Sequence, residues 1–295
     1  MDSKAGFVAL LGRPNAGKST LLNALLGERL ALVSHKANAT RKRLNVIVMW
    51  EDTQIIFVDT PGIHKQEKLL NEYMLKEALK ALDDCDFLIF LAPASDRISF
   101  YEEFLELNKN KKKHILVLSK ADMVSKDELL SKIKEYEKYS GVYEELIPVS
   151  YKDDKSLESL LKAISKYIPQ NPYYYDQEIL SPESTKEIVK EIIRESCFAF
   201  LSDELPYESD VMINKYTEKE SVDVIRATII VLKDSQKGIV VGKGGATIKR
   251  IGKDCRVKIE RFLGKRVYLE LFVKVVPNWS KEKEMLKKVG YNFDF

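Results

Sequence analysis

The chain has 295 residues, 45% hydrophobic and 32% charged, which is typical of a soluble globular protein of about two domains. Its cysteines, Cys85, Cys197 and Cys255, lie far apart without metal-ligand spacing, so we expect buried thiols in a reducing compartment. No apolar run is long enough to span a membrane, and Met1 leads almost directly into the apolar run 7–12. Neither a membrane span nor a signal peptide is predicted, and a cytoplasmic location is expected.

Charge is unevenly distributed along the chain. Residues 1–182 carry 26 basic and 27 acidic side chains, whereas residues 183–295 carry 22 and 18. Residues 237–266 alone hold ten basic and two acidic side chains. This local excess predicts a polyanionic partner for the second half, the alternative being a solvated helix face.

Short apolar runs alternate with helical patterns through the first half, as in the predicted helix 68–82. This alternation predicts an α/β domain with a mainly parallel sheet. Only three residues separate the strands 44–50 and 54–59, which should therefore form an antiparallel hairpin. The predicted strands are 7–12, 44–50, 54–59, 87–92, 114–119 and 145–150.

The pattern changes after the proline- and tyrosine-rich stretch 167–184, which is typical of a linker or an interdomain pad. A smaller α+β unit is expected beyond it. Its predicted elements are a helix at 184–202, strands at 209–217 and 221–232, a short helix, a basic helix at 245–262 and a strand at 266–276. The predicted divisions are a first domain at 4–168, a linker at 169–183, a second domain at 184–280 and a tail helix at 281–295.

The stretch GRPNAGKS at 12–19 matches the phosphate-binding pattern G-x-x-x-x-G-K-[ST] between a strand and a helix. Its backbone amides should wrap the phosphates of a nucleotide, with Lys18 at the β- and γ-phosphates and Ser19 on Mg²⁺. The predicted nucleotide contacts in this loop are Gly12, Arg13, Pro14, Asn15, Ala16, Gly17, Lys18, Ser19 and Thr20.

A second group of candidates lies around the third predicted strand. Asp59 ends that strand in DTPG, where a carboxylate serves the Mg²⁺ shell and the amide of Gly62 senses the γ-phosphate. Thr40, in the polar stretch before the second strand, is expected to ligate Mg²⁺ when its loop closes. The predicted metal set is Ser19, Thr40 and Asp59, and the predicted nucleotide contacts here are Asp59, Thr60, Pro61, Gly62 and Ile63.

The base is expected to be read at the ends of the fifth and sixth strands, by SKAD at 119–122 and SYK at 150–152. Asp122 would accept from the N1–H and exocyclic amine of guanine, which adenine cannot supply in that arrangement, so GTP and GDP are the predicted ligands. The stem of Lys120 can cover the purine ring. The full predicted set is Ser119, Lys120, Ala121, Asp122, Ser150, Tyr151 and Lys152.

These motifs resemble the translation-factor class of GTPases, whose usual base motif is Asn-Lys-x-Asp. Ser119 replaces that Asn, and because serine is shorter we expect a weaker or water-mediated bridge to the phosphate loop. The residue after Gly62 is Ile63, which cannot orient water, so intrinsic hydrolysis should be slow without another device. Resemblance to the hydrophobic-substituted GTPases implies that Asn15 ligates K⁺ beside the phosphates, the alternative being that it only supports the loop. His64 is interpreted as a bystander, and the predicted catalytic set is Asn15, Lys18, Thr40 and Gly62.

A second glycine-rich loop, GKGG at 242–245, fits the GXXG of a KH module and precedes the basic helix. Such a loop clamps the backbone of single-stranded RNA, because glycine leaves room for close approach. The order α-β-β-α-α-β resembles the type II KH arrangement. The predicted RNA contacts are Gly242, Lys243, Gly244, Gly245, Lys249, Arg250 and Lys253, and no DNA partner is expected.

The two modules in this order resemble the bacterial Era family over nearly the whole chain, including the stretches 268–279 and 287–291. The resemblance implies a GTPase that binds the 3′ end of small-subunit ribosomal RNA, acts in assembly and maturation of the small ribosomal subunit, and attaches loosely to the inner membrane. The alternative is a GTP-regulated switch whose second domain docks a protein or membrane surface. A metabolic ATPase is disfavoured by Asp122.

Overall fold

The computed structural model describes residues 3–27, 40–62, 69–202 and 204–291. The chain divides into two compact units, with the main boundary between Pro182 and Glu183. None of the described helices combines the length and the apolar character needed to cross a lipid bilayer.

The first unit contains a sheet with the strand order β2-β3-β1-β4-β5-β6, in which β2 is antiparallel to β3 and the other neighbours are parallel. This confirms the mainly parallel sheet and the hairpin. The strands are β1 (Lys4–Leu11), β2 (Leu44–Trp50), β3 (Thr53–Asp59), β4 (Phe87–Pro93), β5 (His114–Ser119) and β6 (Glu145–Val149). The helices are α1 (Lys18–Leu26), α2 (Leu69–Asp84), α3 (Ser99–Leu107), α4 (Lys126–Glu137) and α5 (Asp154–Ser165).

Local sequence explains these elements. Every residue of β3, β4 and β5 is buried, as expected for parallel strands covered on both faces. Helix α4 begins with a capping box, in which Ser125 and Glu128 satisfy each other's backbone amides. Strand β1 lies where the strand order reverses, so the loop after it opens into the crevice where α/β sheets bind ligands.

The segment predicted as a linker at 169–183 contacts the sheet of the first unit. The side-chain amide of Gln54 in β3 donates to the carbonyl of Tyr175 at 2.8 Å and accepts from the amide of the same residue at 3.1 Å. Ser181 donates through its hydroxyl to the carbonyl of Asn45 in β2 at 2.6 Å. Much of this segment is therefore attached to the first unit rather than extended between the two.

The second unit has a three-stranded sheet in the order β7-β8-β9, with an antiparallel and a parallel pair. Helix α9 packs against both α6 and β9. The predicted α-β-β-α-α-β order is present, with one short extra helix, α7. The elements are α6 (Thr185–Phe200), α7 (Leu205–Glu208), β7 (Asp210–Thr217), β8 (Val222–Val231), α8 (Asp234–Val241), α9 (Ala246–Leu263), β9 (Arg266–Val275) and α10 (Lys283–Val289).

A buried polar network holds the end of the chain to this second unit. Lys190 of α6 is almost fully buried and donates through Nζ to the carbonyl of Val289 at 2.6 Å. The hydroxyl of Tyr291 donates to the buried carboxylate of Asp210. Removing one member of a buried charged network would leave its partner buried without a counter-charge, which is costly. These contacts therefore hold helix α10 to the rest of the second unit.

Candidate functional site

The first glycine-rich loop joins the end of β1 to the start of α1. Gly12 and Gly17 have φ angles of 147° and 101°, which L side chains rarely adopt. A Cβ on Gly12 would lie 2.7 Å from the carbonyl oxygen of Leu91, so the loop also needs glycine for close packing on β4. Gly17 is the N-cap of α1, whose unpaired amides and dipole favour an anion at this end.

Lys18 lies across this loop. Its Nζ donates to the carbonyls of Gly12 at 3.1 Å and Arg13 at 3.2 Å, and the side chain is almost fully buried. Burial lowers the pKa of Lys18 to about 8, partly offset by the carboxylate of Asp59. A phosphate at the loop would supply the negative charge that a buried ammonium group requires.

Three oxygen-bearing side chains converge beside Lys18. Ser19 donates through Oγ to Oδ2 of Asp59 at 2.8 Å, and Oγ of Ser19 lies 3.2 Å from Oγ1 of Thr40. Thr40 donates to the same Oδ2 at 3.5 Å. One carboxylate and two hydroxyl groups suit Mg²⁺, which prefers oxygen ligands and takes its remaining ones from water and phosphates. The structure therefore brings the predicted metal set together.

The DTPG segment packs on the phosphate loop. A Cβ on Gly62 would lie 2.5 Å from the backbone nitrogen of Pro14, so glycine is required for this approach. Thr60 turns its hydroxyl inward and donates to the carbonyl of Leu10 at 2.6 Å, which gives its side chain a structural role. Ile63 and His64 lie outside the described residues.

The guanidinium of Arg13 is occupied by contacts with other side chains of the protein. It forms a two-pronged ion pair with Asp96, with 2.5 Å for both Nε to Oδ2 and Nη2 to Oδ1, and it lies over the ring of Phe100. Hydrogen bonding to Asp96 raises the pKa of Arg13. Any contribution of Arg13 to nucleotide binding therefore comes from its backbone. Asp96 was not among the predicted site residues. The sequence pointed to it only through its position just after β4.

The two predicted base-reading segments lie side by side, because β5 and β6 are parallel neighbours. Lys120 has a φ angle of 57° and donates through Nζ to the carbonyl of Asn15 at 3.1 Å, so its stem spans from this segment to the phosphate loop. Asp122 is exposed, with Oδ2 3.8 Å from Nζ of Lys152. Because this carboxylate is exposed, its oxygens are accessible to hydrogen-bond donors of a base.

The bridge from Ser119 to the phosphate loop is direct. Its hydroxyl donates to the carbonyl of Ala16 at 2.9 Å, with the side chain fully buried, so the water-mediated alternative is wrong. The short side chain suffices because the end of β5 comes close to the loop. Tyr151 occupies neighbouring space, and its hydroxyl also reaches the carbonyl of Ala16, at 3.3 Å.

The remaining predicted nucleotide residues occupy the same loops. Thr20 lies in the first turn of α1, Pro61 lies between Thr60 and Gly62, and Ala121 begins a short 3-10 turn after Lys120. Ser150 follows β6, and its amide donates to Oγ of Ser156 at 3.2 Å. These contacts stabilise the loops around the site.

The second glycine-rich loop lies in the other unit, between α8 and α9. Its glycines differ in their surroundings. A Cβ on Gly242 would lie 2.4 Å from Oγ1 of Thr247, whereas one on Gly244 would have no atom within 4 Å. Gly242 is therefore needed by the fold, and Gly244 leaves open space on the loop's outer side. Gly244 and Gly245 both have positive φ angles.

Basic side chains are exposed in this loop and in the first turns of α9. Lys243, Lys249, Arg250 and Lys253 are all exposed, and the guanidinium of Arg250 lies over the ring of Phe200. Ile251, on the opposite face of α9, is fully buried. The helix thus presents cations to solvent beside a backbone that a polyanion can approach closely.

Comparison with known families agrees with this geometry. A family model described as "50S ribosome-binding GTPase" matches residues 7–120, and one described as "KH domain" matches residues 204–280. Fold and sites together define a P-loop GTPase with a C-terminal KH domain.

Relatives match over the full chain. GTPase Era of Helicobacter pylori strain G27 is 53% identical over 296 residues, covering 99% of this chain and 98% of that protein. GTPase Era of Campylobacter lari is 46% identical over 289 residues, covering 98% and 99%. The chain belongs to the Era GTPase family.

Two solved structures have the same fold. An Aquifex aeolicus Era variant bound to GDP·AlF4⁻ aligns with a TM-score of 0.93 at 34% identity, covering 98% of this chain and 100% of that one. Era in complex with MgGDPNP and nucleotides 1506–1542 of 16S ribosomal RNA also aligns with a TM-score of 0.93 at 34% identity, covering 99% and 100%.

Proposed function

We propose that this GTPase holds GTP at the first glycine-rich loop and the 3′ end of small-subunit ribosomal RNA at the second, and acts in maturation of the small ribosomal subunit. The observation that carries the RNA assignment is the open outer side of Gly244 among exposed cations. The solved relative that holds MgGDPNP and nucleotides 1506–1542 of 16S ribosomal RNA supports the choice of RNA.

At the nucleotide site, each group has a role that follows from charge. The ammonium of Lys18 would neutralise the β- and γ-phosphates, and Ser19, Thr40 and Asp59 would hold Mg²⁺, which supplies further positive charge. The amide of Gly62 contacts the γ-phosphate, and Asp122 reads guanine. Because charge spreads over the phosphoryl oxygens during transfer, positioned cations and amides lower the barrier without a protein nucleophile.

A K⁺ ion held by Asn15 is the proposed source of further charge beside the phosphates. Asn15 is exposed with a φ angle of 63°, and the side chain of Ile63, the residue after Gly62 in the sequence, has no hydrogen-bonding group. Replacing K⁺ by Na⁺ should slow hydrolysis by the parent protein, whereas an Asn15→Ala variant should turn over slowly and equally in both salts. Equal rates for the parent in the two salts would assign Asn15 to loop support alone.

We propose four divisions of the chain, with much of the linker attached to the first domain. Their limits are 4–168, 169–183, 184–280 and 281–295.

Peripheral contact with the inner membrane is proposed for the second domain, whose strand β9 exposes Tyr268 and Phe272. Co-sedimentation with anionic vesicles tests this contact: we expect binding that falls with salt, and no binding at low salt would contradict it.

Crosslinking to RNA tests the function directly. The purified protein is crosslinked to total RNA, and the bound fragments are sequenced beside those from a Gly244→Asp variant. We expect fragments from the 3′ end of small-subunit ribosomal RNA to be enriched for the parent and depleted for the variant. The same fragments at the same yield from both proteins would remove residues 242–245 from the RNA site and favour docking to a protein or membrane surface.

A further inference from the structure

The side chain of Tyr151 reaches from the loop after β6 to the phosphate loop. Its hydroxyl lies 3.3 Å from the carbonyl oxygen of Ala16 and only 2.1 Å from the point a Cβ on Gly17 would occupy. Ser119 donates to the same Ala16 oxygen at 2.9 Å. Two hydroxyl groups from two strand ends therefore meet at one peptide bond of the phosphate loop.

That peptide bond has a defined role in the loop. The carbonyl of Ala16 and the amide of Gly17 belong to one planar unit and point in opposite directions. Holding the oxygen toward the interior therefore turns the Gly17 amide outward, to the side on which phosphates are bound. A carbonyl oxygen has two lone pairs, so Ser119 and Tyr151 can donate to it together.

The two hydroxyl donors also fit one departure in the sequence. Ser119 stands where the usual base motif has Asn, and Tyr151 is the middle residue of SYK at 150–152. An asparagine side chain is larger than serine, and in this fully buried position it would need the space that the Tyr151 hydroxyl fills. The two residues are thus sterically complementary: the short side chain of Ser119 leaves room for the hydroxyl of Tyr151.

We propose that Tyr151 is a positioning residue of the nucleotide site, which together with Ser119 fixes the Ala16–Gly17 peptide and so orients the Gly17 amide toward the phosphates. This proposal rests on the proposed nucleotide site. Burial raises the pKa of Tyr151 to about 12, so its hydroxyl stays protonated, and able to donate, throughout the neutral range.

The first test removes only the hydroxyl. Tyr151→Phe should weaken GDP binding about fivefold, the usual effect of one lost hydrogen bond, mainly through faster release. The matched control is Tyr143→Phe, which removes a hydroxyl that lies 3.5 Å from the carbonyl of Tyr136, away from the loop. Its affinity should equal that of the parent. Release of a fluorescent GDP analogue is measured by stopped flow, and the melting temperature of each nucleotide-free variant is measured in parallel.

The second test asks whether the two positions act together. Tyr151→Ala should weaken binding about tenfold or more, since both the donor and the packing on Gly17 are lost. Ser119→Asn alone should also weaken it, because the larger side chain meets Tyr151. The double variant Ser119→Asn with Tyr151→Ala should bind more tightly than either single variant, because the amide then has room to reach Ala16. A purely structural role for Tyr151 would give no such rescue.

Each result decides the proposal. Weaker binding by Tyr151→Phe at an unchanged melting temperature, together with rescue in the double variant, supports it. Parent-like affinity for Tyr151→Phe, or a double variant no tighter than Tyr151→Ala, overturns it while leaving the nucleotide site in place. If the parent itself binds no guanine nucleotide, or Lys18→Ala binds as tightly as the parent, the nucleotide site is wrong and the role of Tyr151 falls with it.

Discussion

A negative charge at Gly244 is expected to weaken RNA binding far more than a neutral side chain of nearly the same shape. The comparison is Gly244→Asp against Gly244→Asn. Both residues tolerate the left-handed backbone that Gly244 adopts at φ 59°, at a similar cost of roughly 1 kcal/mol. No atom lies within 4 Å of an added Cβ, so neither variant should clash with the protein. The two variants therefore differ chiefly in charge.

The size of the difference follows from Coulomb's law. A carboxylate about 4 Å from an RNA phosphate is repelled by ~1 kcal/mol in water and ~4 kcal/mol at an effective dielectric constant near 20. Because 1.4 kcal/mol is a factor of ten, we expect Gly244→Asp to bind at least about fivefold more weakly than Gly244→Asn. Losing one phosphate contact should also lower the log–log salt slope by ~0.7.

The assay is fluorescence anisotropy with a labelled single-stranded RNA matching the 3′ end of 16S ribosomal RNA, repeated over a series of salt concentrations. The difference in RNA affinity between the two variants should decrease as the salt concentration rises, because salt screens the repulsion between the carboxylate and the phosphate. GDP affinity, measured on the same preparations, should stay at the parent value for both. Equal RNA affinity for Asp and Asn at low salt would refute the assignment of this loop to phosphate binding.

Three further outcomes are expected. Gly242→Ala should lower the melting temperature of the second unit because its Cβ overlaps Thr247, whereas Gly252→Ala, whose nearest contact would be an ordinary 3.6 Å, should not; calorimetry that ranks them in the opposite order would contradict the packing account. Burial lowers the pKa of His114 in the folded state, so stability should fall as pH drops below ~6.5, where the unfolded chain takes up the proton more readily, and chemical denaturation should show this loss reduced in His114→Asn. Asp122→Asn should bind GTP poorly and accept XTP, since one carboxylate contact is lost and an amide donor appears; continued preference for GTP would rule out the base assignment.

Much of the first unit could be predicted because its strands and its phosphate loop depend on residues that are close together in the sequence. The strands 44–50 and 114–119 coincide with continuous apolar runs, and the three-residue gap EDT correctly predicted an antiparallel hairpin, with a two-residue turn at Glu51 and Asp52. The phosphate loop follows from spacing alone, since only glycine readily accepts the backbone angles found at positions 12 and 17. The convergence of Ser19, Thr40 and Asp59 also follows, because Ser19 lies in the first turn of α1, Thr40 precedes β2 and Asp59 ends β3 at the same edge of the sheet.

Contacts between distant segments were not predictable in this way. The two-pronged pair between Arg13 and Asp96 and the direct bond from Ser119 depend on how close separate loops come, which residue type and spacing do not encode. The GXXG pattern likewise fixes glycine at positions 242 and 245 but does not show what surrounds each glycine of the loop. Only packing against Thr247 separates Gly242, which the fold requires, from the open loop position at Gly244.

The central claim is that the two glycine-rich loops bind different phosphates, and a crosswise binding measurement tests it most directly. Isothermal titration of the full chain with GDP, and separately with the single-stranded RNA, is carried out on the parent, Lys18→Ala and Gly244→Asp. The account predicts that Lys18→Ala loses GDP and retains RNA, while Gly244→Asp loses RNA and retains GDP. Loss of RNA by Lys18→Ala with RNA retained by Gly244→Asp, or unchanged affinity for both ligands in both variants, would contradict it.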